Sequence, residues 1–454
     1  MPALRRIDLV LESVRRLLRM GATPNLLNLL QKQHPADLAQ LFSVLPEKER
    51  HAAFNTLVEK NGRLAMEALS ELGPDQGGEL LALRSAEEIA RLVQELPSDD
   101  AAPLIERLTP ELRDVVLDLI RPKPGGGVSD LLEYPEQTAG RLMNPNVFAL
   151  PDELTAGEAI TALQGARDVE MVFYLYAVDD RRHLVGVVSL RRLLLVPPDT
   201  PLKRIMTTEV YSARVETDQE EVAGMVASYN LLAIPVVDEE NKLVGVVTVD
   251  DVIDVIKDEA TEDVYRMAGV SMEDGVLTPP MQSLRRRLPW LGVNLITAFI
   301  AATVVSFFED TILQVVGLAA LMPVVAGMGG NAATQTLAVT VRGLALGELT
   351  WANARSALGK EAFVGLGNGM ALGAVAALGA WALKGDPFLG LILALAMIIN
   401  MFIAAIAGTL IPLGLRAAKV DPALASSVFI TTLTDVFGFL SFLGLATVFL
   451  DVLQ

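Results

Sequence analysis

The 454-residue sequence predicts a multidomain membrane protein: a cytoplasmic α-helical superhelical N domain, a tandem α/β repeat, a long connecting helix and an all-α transmembrane domain of five helices. Three observations predict it. The mean hydropathy, +0.41, exceeds that of an ordinary soluble enzyme, and the chain is too long for one core. Charge divides sharply, since residues 285–454 hold 9 Lys/Arg and 8 Asp/Glu, while residues 1–284 hold 28 and 47 and carry net −19. Finally, a glycine-centred motif recurs at Gly186 and Gly245, 59 residues apart.

Composition narrows the chemistry before any motif is read. An acidic surface of this size repels nucleic acid and anionic lipid and attracts cations, so no nucleic-acid partner is expected. The absence of cysteine removes disulfides and sulfur-ligated metal sites. His34, His51 and His183, the only histidines, lie far from the apolar segments, which excludes a zinc or haem centre there. The opening MPALRRIDLVLESVRRLL contains acids and no uninterrupted apolar stretch, so no signal peptide is read and the N-terminus is expected in the cytoplasm.

Residues 5–121 have apolar residues at helical spacing, punctuated by Pro and Gly, and predict short stacked helices. Asp37, Leu41, Leu45 and Pro46 are echoed by Asp100, Leu104, Leu108 and Pro110, the mark of repeated helix pairs. The run RPKPGGGVSD cannot continue a helix, so 122–137 reads as a linker. Two repeats follow, at 138–200 and 201–255. Arg141-Leu-Met143 recurs as Arg204-Ile-Met206, and Leu184-Val-Gly-Val-Val-Ser189 as Leu243-Val-Gly-Val-Val-Thr248. Each half predicts a helix (Ala156–Leu163, Glu220–Ser228) and two strands. Residues 256–284 read as the connecting helix and 285–454 as the membrane domain.

Spans are predicted at about Trp290–Phe308, Leu313–Val341, Phe363–Leu383, Leu389–Leu415 and Leu424–Leu450, each long enough for a hydrocarbon core of ~30 Å. Arg285, Arg286 and Arg287 precede the first span, and Arg342, Arg355, Lys360, Arg416 and Lys419 flank the second and fourth connections. Only Lys384 lies in a loop on the opposite side. That asymmetry predicts a cytoplasmic N-terminus and an external C-terminus.

Asp435 falls near the middle of the last span, where an aspartate costs roughly 2.5–3.5 kcal/mol and therefore calls for a compensating role. Ser427, Thr431, Thr434, Gly438 and Ser441 recur around it at steps of three or four. In the second span Gly327, Gly330, Asn331, Thr334, Gln335 and Ala338 share one side, with Pro323 placed to free a carbonyl. Two readings of that second stripe stand side by side: helix packing through small residues, or an all-oxygen lining. An oxygen lining with one carboxylate suits a hard, largely hydrated divalent ion such as Mg²⁺, held by outer-sphere contacts.

Between Asp250 and Asp263 seven acids face a single Lys257, and Asp251, Asp254, Asp258 and Glu262 share a helical face. Like charges so spaced destabilise a helix unless cations neutralise them. Bridging by Mg²⁺, with Asp99, Asp100, Asp218, Glu220 and Glu221 as further ligands, would favour a compact state that closes the pore; a merely solvated acidic face is the alternative. Asp421 either lines the cytoplasmic mouth or caps the fifth span.

The paired repeats resemble tandem CBS domains. With the acidic connector, the five spans and the motifs MPVVAGMGGNAATQT and TTLTDVFGF, the chain resembles the MgtE family of bacterial Mg²⁺ channels over nearly its whole length. The resemblance implies a homodimer in the inner membrane, a pore at the subunit interface with Asp435 as principal ion-binding residue, and a plug formed by the helix near Ile256–Val270. It implies regulatory Mg²⁺ at Asp251, Asp254, Glu259, Glu262 and Asp263, with Glu220 and the Asp99–Asp100 pair; Asp421 is counted with the regulatory set. It also raises ATP as a modulator held through Tyr174, Thr248 and Asp251. There the pattern holds in one half only, for Thr248 is followed three residues later by Asp251, but Ser189 by Arg192. Ala333 stands where many relatives carry a second glycine.

Competing functions are transport of Co²⁺, Mn²⁺, Ca²⁺ or an anion, and a Mg²⁺ receptor without a pore. A membrane enzyme is not expected, because no catalytic constellation is legible in the spans.

Overall fold

A computed structural model describes residues 2–120, 127–166, 172–272, 274–276 and 278–453. The chain divides into two compact units, Met1–Ile256 and Lys257–Gln454.

In the first unit nine helices lie between Pro2 and Leu119 among the described residues. Their limits follow from local chemistry. Asn61 and Ser85 cap helices with their side chains, and proline opens others at Pro35, Pro74 and Pro110. The echoed positions do equivalent work, because Leu41, Leu45, Leu104 and Leu108 are all buried. The expected linker is corrected in part. Its stretch 121–126 lies outside the described residues, but Val128–Glu133 is a helix whose Val128 and Leu131 are buried in the core. These two buried side chains, three residues apart on one face, outweigh the preceding glycines.

Two three-stranded sheets follow, β1 (Ala149–Pro151), β2 (Tyr174–Val178) and β3 (Leu184–Ser189), then β4 (Ala213–Arg214), β5 (Ala233–Val237) and β6 (Leu243–Thr248). In each the first strand runs parallel and the third antiparallel to the second. The first repeat's helix, Ala156–Gly165, starts at a capping box, with Thr155 N–H donating to Glu158 at 2.9 Å and Glu158 N–H to the Thr155 hydroxyl at 3.4 Å. The second repeat's helix is Gln219–Tyr229, capped by Asp218.

The repeats exchange their leading segments. Met143 packs on Gly245 and Met206 on Gly186, where an added Cβ would lie 2.5 Å and 2.6 Å from the respective sulfurs. Asn144 pairs with Val246, and Val187 with Thr207. The core of the N domain runs on into the second repeat through Val215, Val222, Ile234, Val247 and Val252, whereas the first repeat has a core of its own around Leu175, Val188 and Leu193. Arg141 adds a bond of 2.5 Å to Glu106 and one of 3.0 Å to the Leu131 carbonyl.

The connecting helix runs Val249–Met267. The sequence expectation of a helix through 284 is corrected: the helix stops before Gly269, whose φ of +68° lies in the left-handed region, and a new helix begins at Pro280.

The second unit contains five long helices: Pro280–Ser306, Gly317–Ala345, Ala354–Lys384, Pro387–Ala417 and Pro422–Val448. Among the described residues four qualify by length and apolarity to cross a membrane: Pro280–Ser306, Ala354–Lys384, Pro387–Ala417 and Ser427–Val448. The second long helix has 29 residues but is diluted by its glycines, Asn331, Thr334 and Gln335. The third and fourth helices meet along a glycine seam, where Cβ atoms at Gly365, Gly369 and Gly373 would fall 2.8–3.0 Å from atoms of Ala405, Met401, Ile398 and Ala394. Spaced four apart, these glycines let two backbones approach as small residues do in membrane helix pairs. Leu321, Val325, Leu393, Met397, Phe442 and Leu443 fill the core between the second, fourth and fifth helices.

Candidate ion conduit and acidic clusters

The fifth helix starts where Asp421 accepts a 2.7 Å bond from Ala423 N–H, so the capping reading of this residue holds. Along that helix Ser427, Thr431 and Asp435, at steps of four, are half-buried. Thr431 donates to the Ser427 carbonyl at 2.8 Å, which turns its hydroxyl lone pairs outward. Asp435 has no hydrogen-bond or ion-pair partner among the described residues. Two other members of the expected stripe turn the other way, while Ser441 is half-buried. Thr434 is fully buried and donates to the Thr431 carbonyl at 3.0 Å, and Gly438 is buried against Asn400 and Val325.

The second helix packs on the fifth. Its Gly327, Asn331, Thr334 and Gln335 are exposed and Gly330 is half-buried, while Gly329, Ala333, Thr336 and Thr340 face inward. The expected stripe thus lies on the exposed side of this helix, while packing runs through Gly329 and Ala333, which were not part of it. Thr334 donates to the Gly330 carbonyl at 2.9 Å.

Two polar side chains in the bundle escaped the sequence reading. Asn400, in the fourth helix, is 1% exposed; its Nδ2 donates to the Val325 carbonyl at 3.0 Å, and its Oδ1 is buried without a partner among the described residues. An unpaired buried acceptor of this kind costs about 1–3 kcal/mol. Glu361, in the third helix, is buried, accepts a 3.3 Å bond from Thr336 and lies 3.0 Å from Lys360. Asp435 is therefore not the only carboxylate within the long helices. The signal available for both was a polar residue inside an apolar window.

The expected regulatory acids fall into two groups. In the first unit Asp99 and Asp251 approach each other. Burial, with Asp251 and Asp100 nearby, pushes Asp99 up to about 8, and its Oδ1 is buried without a partner. Burial likewise pushes Asp251 up to about 7, with Asp250 and Asp100 adding to it. Asp100 accepts a 2.7 Å bond from Ser70. Asp254 and Glu220 are exposed, Glu220 in the first turn after the capping Asp218. Two carboxyls that resist ionisation together are poised to share a proton or a cation.

In the second unit Arg266 bonds both Glu262 and Asp421. Burial raises Glu262 and Asp263 above the usual carboxylate range; Glu259 and Asp421 add to both shifts, and Arg266 opposes them. Arg266 was not among the expected site residues. Next to it Gly269 lies under Trp290, and Asp274, whose side chain is fully buried, pairs with Arg287 and accepts a 2.5 Å bond from Ser283. Those hydrogen bonds hold the Asp274 carboxyl below its usual range.

Of the expected nucleotide residues, Thr248 is buried with its hydroxyl against Asp250 and 2.9 Å from Asp251, and the Tyr174 hydroxyl accepts from Leu232 N–H at 3.5 Å. Thr248 and Asp251 are thus engaged with each other. Among the described residues no group of three or more His, Cys, Asp or Glu side chains is arranged to hold a metal ion.

This arrangement has close counterparts. The family described as "Divalent cation transporter" (MgtE) matches residues 322–445, the MgtE intracellular N domain residues 33–137, and the CBS domain residues 139–199 and 202–258. The chain is 34% identical over 438 residues to the magnesium transporter MgtE of Bacillus subtilis, covering 96% of each. It is 34% identical over 445 residues to that of Thermus thermophilus, covering 97% of this chain and 98% of the other. Two crystal structures resemble it. The soluble part of a magnesium transporter is 30% identical with a TM-score of 0.50, over 56% of this chain and 99% of that one. The cytosolic domain of the Mg²⁺ channel MgtE in complex with ATP is 36% identical with a TM-score of 0.51, over 54% and 99%. With its helical N domain, paired CBS domains and apolar helical bundle, the chain belongs to the MgtE family of multi-pass membrane transporters.

Proposed function

We propose that this protein passes Mg²⁺ into the cell down its electrochemical gradient through a conduit lined by Asp435, and that cytoplasmic Mg²⁺ closes it. The observation that carries the reading is the Asp435 carboxylate, half-buried and unpaired on one face with Ser427 and Thr431, in a helix packed against the one that exposes Asn331, Thr334 and Gln335. A membrane protein keeps a carboxylate at such a depth where cations visit it. Hydroxyl, amide and carbonyl oxygens around one carboxylate offer a hydrated Mg²⁺ outer-sphere partners without demanding that it shed its waters. The membrane potential supplies the drive, ~2.3 kcal/mol per charge per 100 mV and roughly twice that for a divalent ion.

Closure follows from the acidic clusters. Mg²⁺ at Asp99, Asp100 and Asp251, and at Glu259, Glu262, Asp263 and Asp421, offsets the repulsion between these carboxylates, four of which (Asp99, Asp251, Glu262 and Asp263) also resist ionisation through burial, and stabilises the arrangement in which they are close. Asp254 and Glu220, both exposed, serve as weaker outer ligands. The protein works as a homodimer in the bacterial inner membrane, with its N-terminus in the cytoplasm and its C-terminus outside. ATP, which one related cytosolic domain holds, modulates the second repeat through Tyr174, Thr248 and Asp251.

Reconstituted vesicles test this. Mg²⁺ influx that falls as Mg²⁺ is raised on the N-terminal face is expected. Influx of Co²⁺, Mn²⁺ or Ca²⁺ in preference to Mg²⁺ would replace the substrate, and binding without influx would make the protein a receptor.

A further inference from the structure

We propose that Asn400 is a positioning residue for permeation: a wedge that sets the spacing between the helix exposing Asn331 and the helix carrying Asp435, and so the discrimination between Mg²⁺ and larger divalent ions. This rests on the reading of Asp435 as part of the conduit.

The fourth helix contributes nothing to either exposed polar face, yet it places a buried amide where the second and fifth helices converge. Both neighbours make room for it. A Cβ at Gly329 would lie 2.1 Å from Asn400 Nδ2, and one at Gly438 2.7 Å from the same atom. The amide then donates to the Val325 carbonyl at 3.0 Å, four residues before Gly329 and two after Pro323. A proline inside a helix removes one rung of the hydrogen-bond ladder and softens the turn around it. The bond from Asn400 therefore fastens the second helix two residues beyond that missing rung, immediately ahead of Gly327, Gly330 and Asn331.

On the other side Gly438 stands three residues beyond Asp435, about 4.5 Å along the helix axis. One side chain thus touches both walls within a turn of the residues that would meet the ion. The wedge is also polar where an apolar one would fill the same space. Its Oδ1 has no partner among the described residues, so burial of this amide is not explained by a fully satisfied network. What the amide supplies and leucine cannot is the directed bond to Val325. Dimensions matter here because an ion that keeps its waters is sorted by the width and rigidity of its path.

The test compares vesicle influx of Mg²⁺ and Ca²⁺ for the full-length protein and three variants. Asn400→Leu matches the volume without the bond, and Gly438→Ala presses the wedge from the fifth helix. Gly444→Ala, in the same helix but with open space at its Cβ, is the control. The first two are expected to lower Mg²⁺ influx at least five-fold and to relax the Mg²⁺ to Ca²⁺ ratio at least three-fold, the control to do neither. An unchanged ratio in both overturns the proposal, as does failure of both to assemble while the control assembles, which would make Asn400 a packing residue only. Asp435→Asn separates the premise: if it retains full Mg²⁺ influx the conduit reading fails, whereas a shifted ratio in Asn400→Leu with influx lost in Asp435→Asn supports both.

Discussion

The guanidinium of Arg266 bonds the carboxylate of Asp421, 155 residues further along the chain, at the capping position of the helix that carries Asp435. The same guanidinium holds Glu262 one turn back on its own helix. Met267 next to it packs against Ala333, Ala423 and Ile430. The end of the connecting helix is therefore fastened to the start of the fifth long helix by a cation that belongs to the protein, in the place where a diffusible cation was expected.

Arg266→Gln should make closure depend wholly on Mg²⁺. A partly buried pair of this kind is worth roughly 1 kcal/mol, so influx with no Mg²⁺ on the N-terminal face should rise about five-fold, and the fall of influx with added Mg²⁺ should steepen. Flux assays with both faces controlled read this. An unchanged zero-Mg²⁺ flux would mean that the ion pair does not bear on closure.

Asp435→Asn should abolish most of the Mg²⁺ influx, by about ten-fold or more, because the conduit loses the charge that attracts a divalent ion. Thermal melting of the detergent-purified protein should move little, since no bond to Asp435 is broken among the described residues.

The Asp99–Asp251 pair gives a pH dependence with a defined sign. Both groups hold protons in the folded protein that the unfolded chain releases near pH 4, so their contribution to stability is full below about pH 4 and is lost as pH rises through about 7 to 8. Asp100 and Asp250 reinforce the effect. Protection of the N-terminal unit from protease should decline from pH 5 to pH 9, should be restored at pH 9 by Mg²⁺, and should become shallower in Asp99→Asn and nearly flat only when Asp251→Asn is added. A slope in the double variant as steep as the parent's would assign the titration elsewhere.

Gly269→Ala should detach the end of the connecting helix from the first long helix. The position combines φ of +68° with a Cβ that would fall 1.8 Å from Trp290 Nε1, and a left-handed residue other than glycine costs about 1–2 kcal/mol before any clash. Trp290 is one of three tryptophans, so a red shift of its emission in a variant lacking Trp351 and Trp381 reads the displacement directly. No shift would mean that the indole does not rest on this glycine.

What was legible in the sequence followed from periodicity and repetition. The paired motifs located the second and third strands of each sheet but not the short β1 and β4, and the apolar runs located the long helices, because strands and spans are written in local pattern. The polar faces were half legible. Spacings of three and four place Ser427, Thr431, Thr434 and Gly438 on one broad side of a helix, but only the neighbouring helices decide where that side divides: Thr434 and Gly438 fall to the buried part, Gly438 against Asn400 and Val325. Arg266 was illegible because its partner lies so far along the chain that no window contains both. Asn400 was hidden in the most apolar helix of the chain, where the average over neighbours masks one amide. The end of the connecting helix was missed because acidic patterning says little about where a backbone turns, whereas Gly269 marks it.

The crossed contacts Met143 on Gly245 and Met206 on Gly186 mean that neither repeat is self-sufficient. Cutting the chain between them would leave each sheet with a methionine-shaped hole on its face and its neighbour's plug dangling in solvent. The two halves must rise and fall as one cooperative body, so an event felt in either sheet is carried to the other through a thioether resting on a glycine.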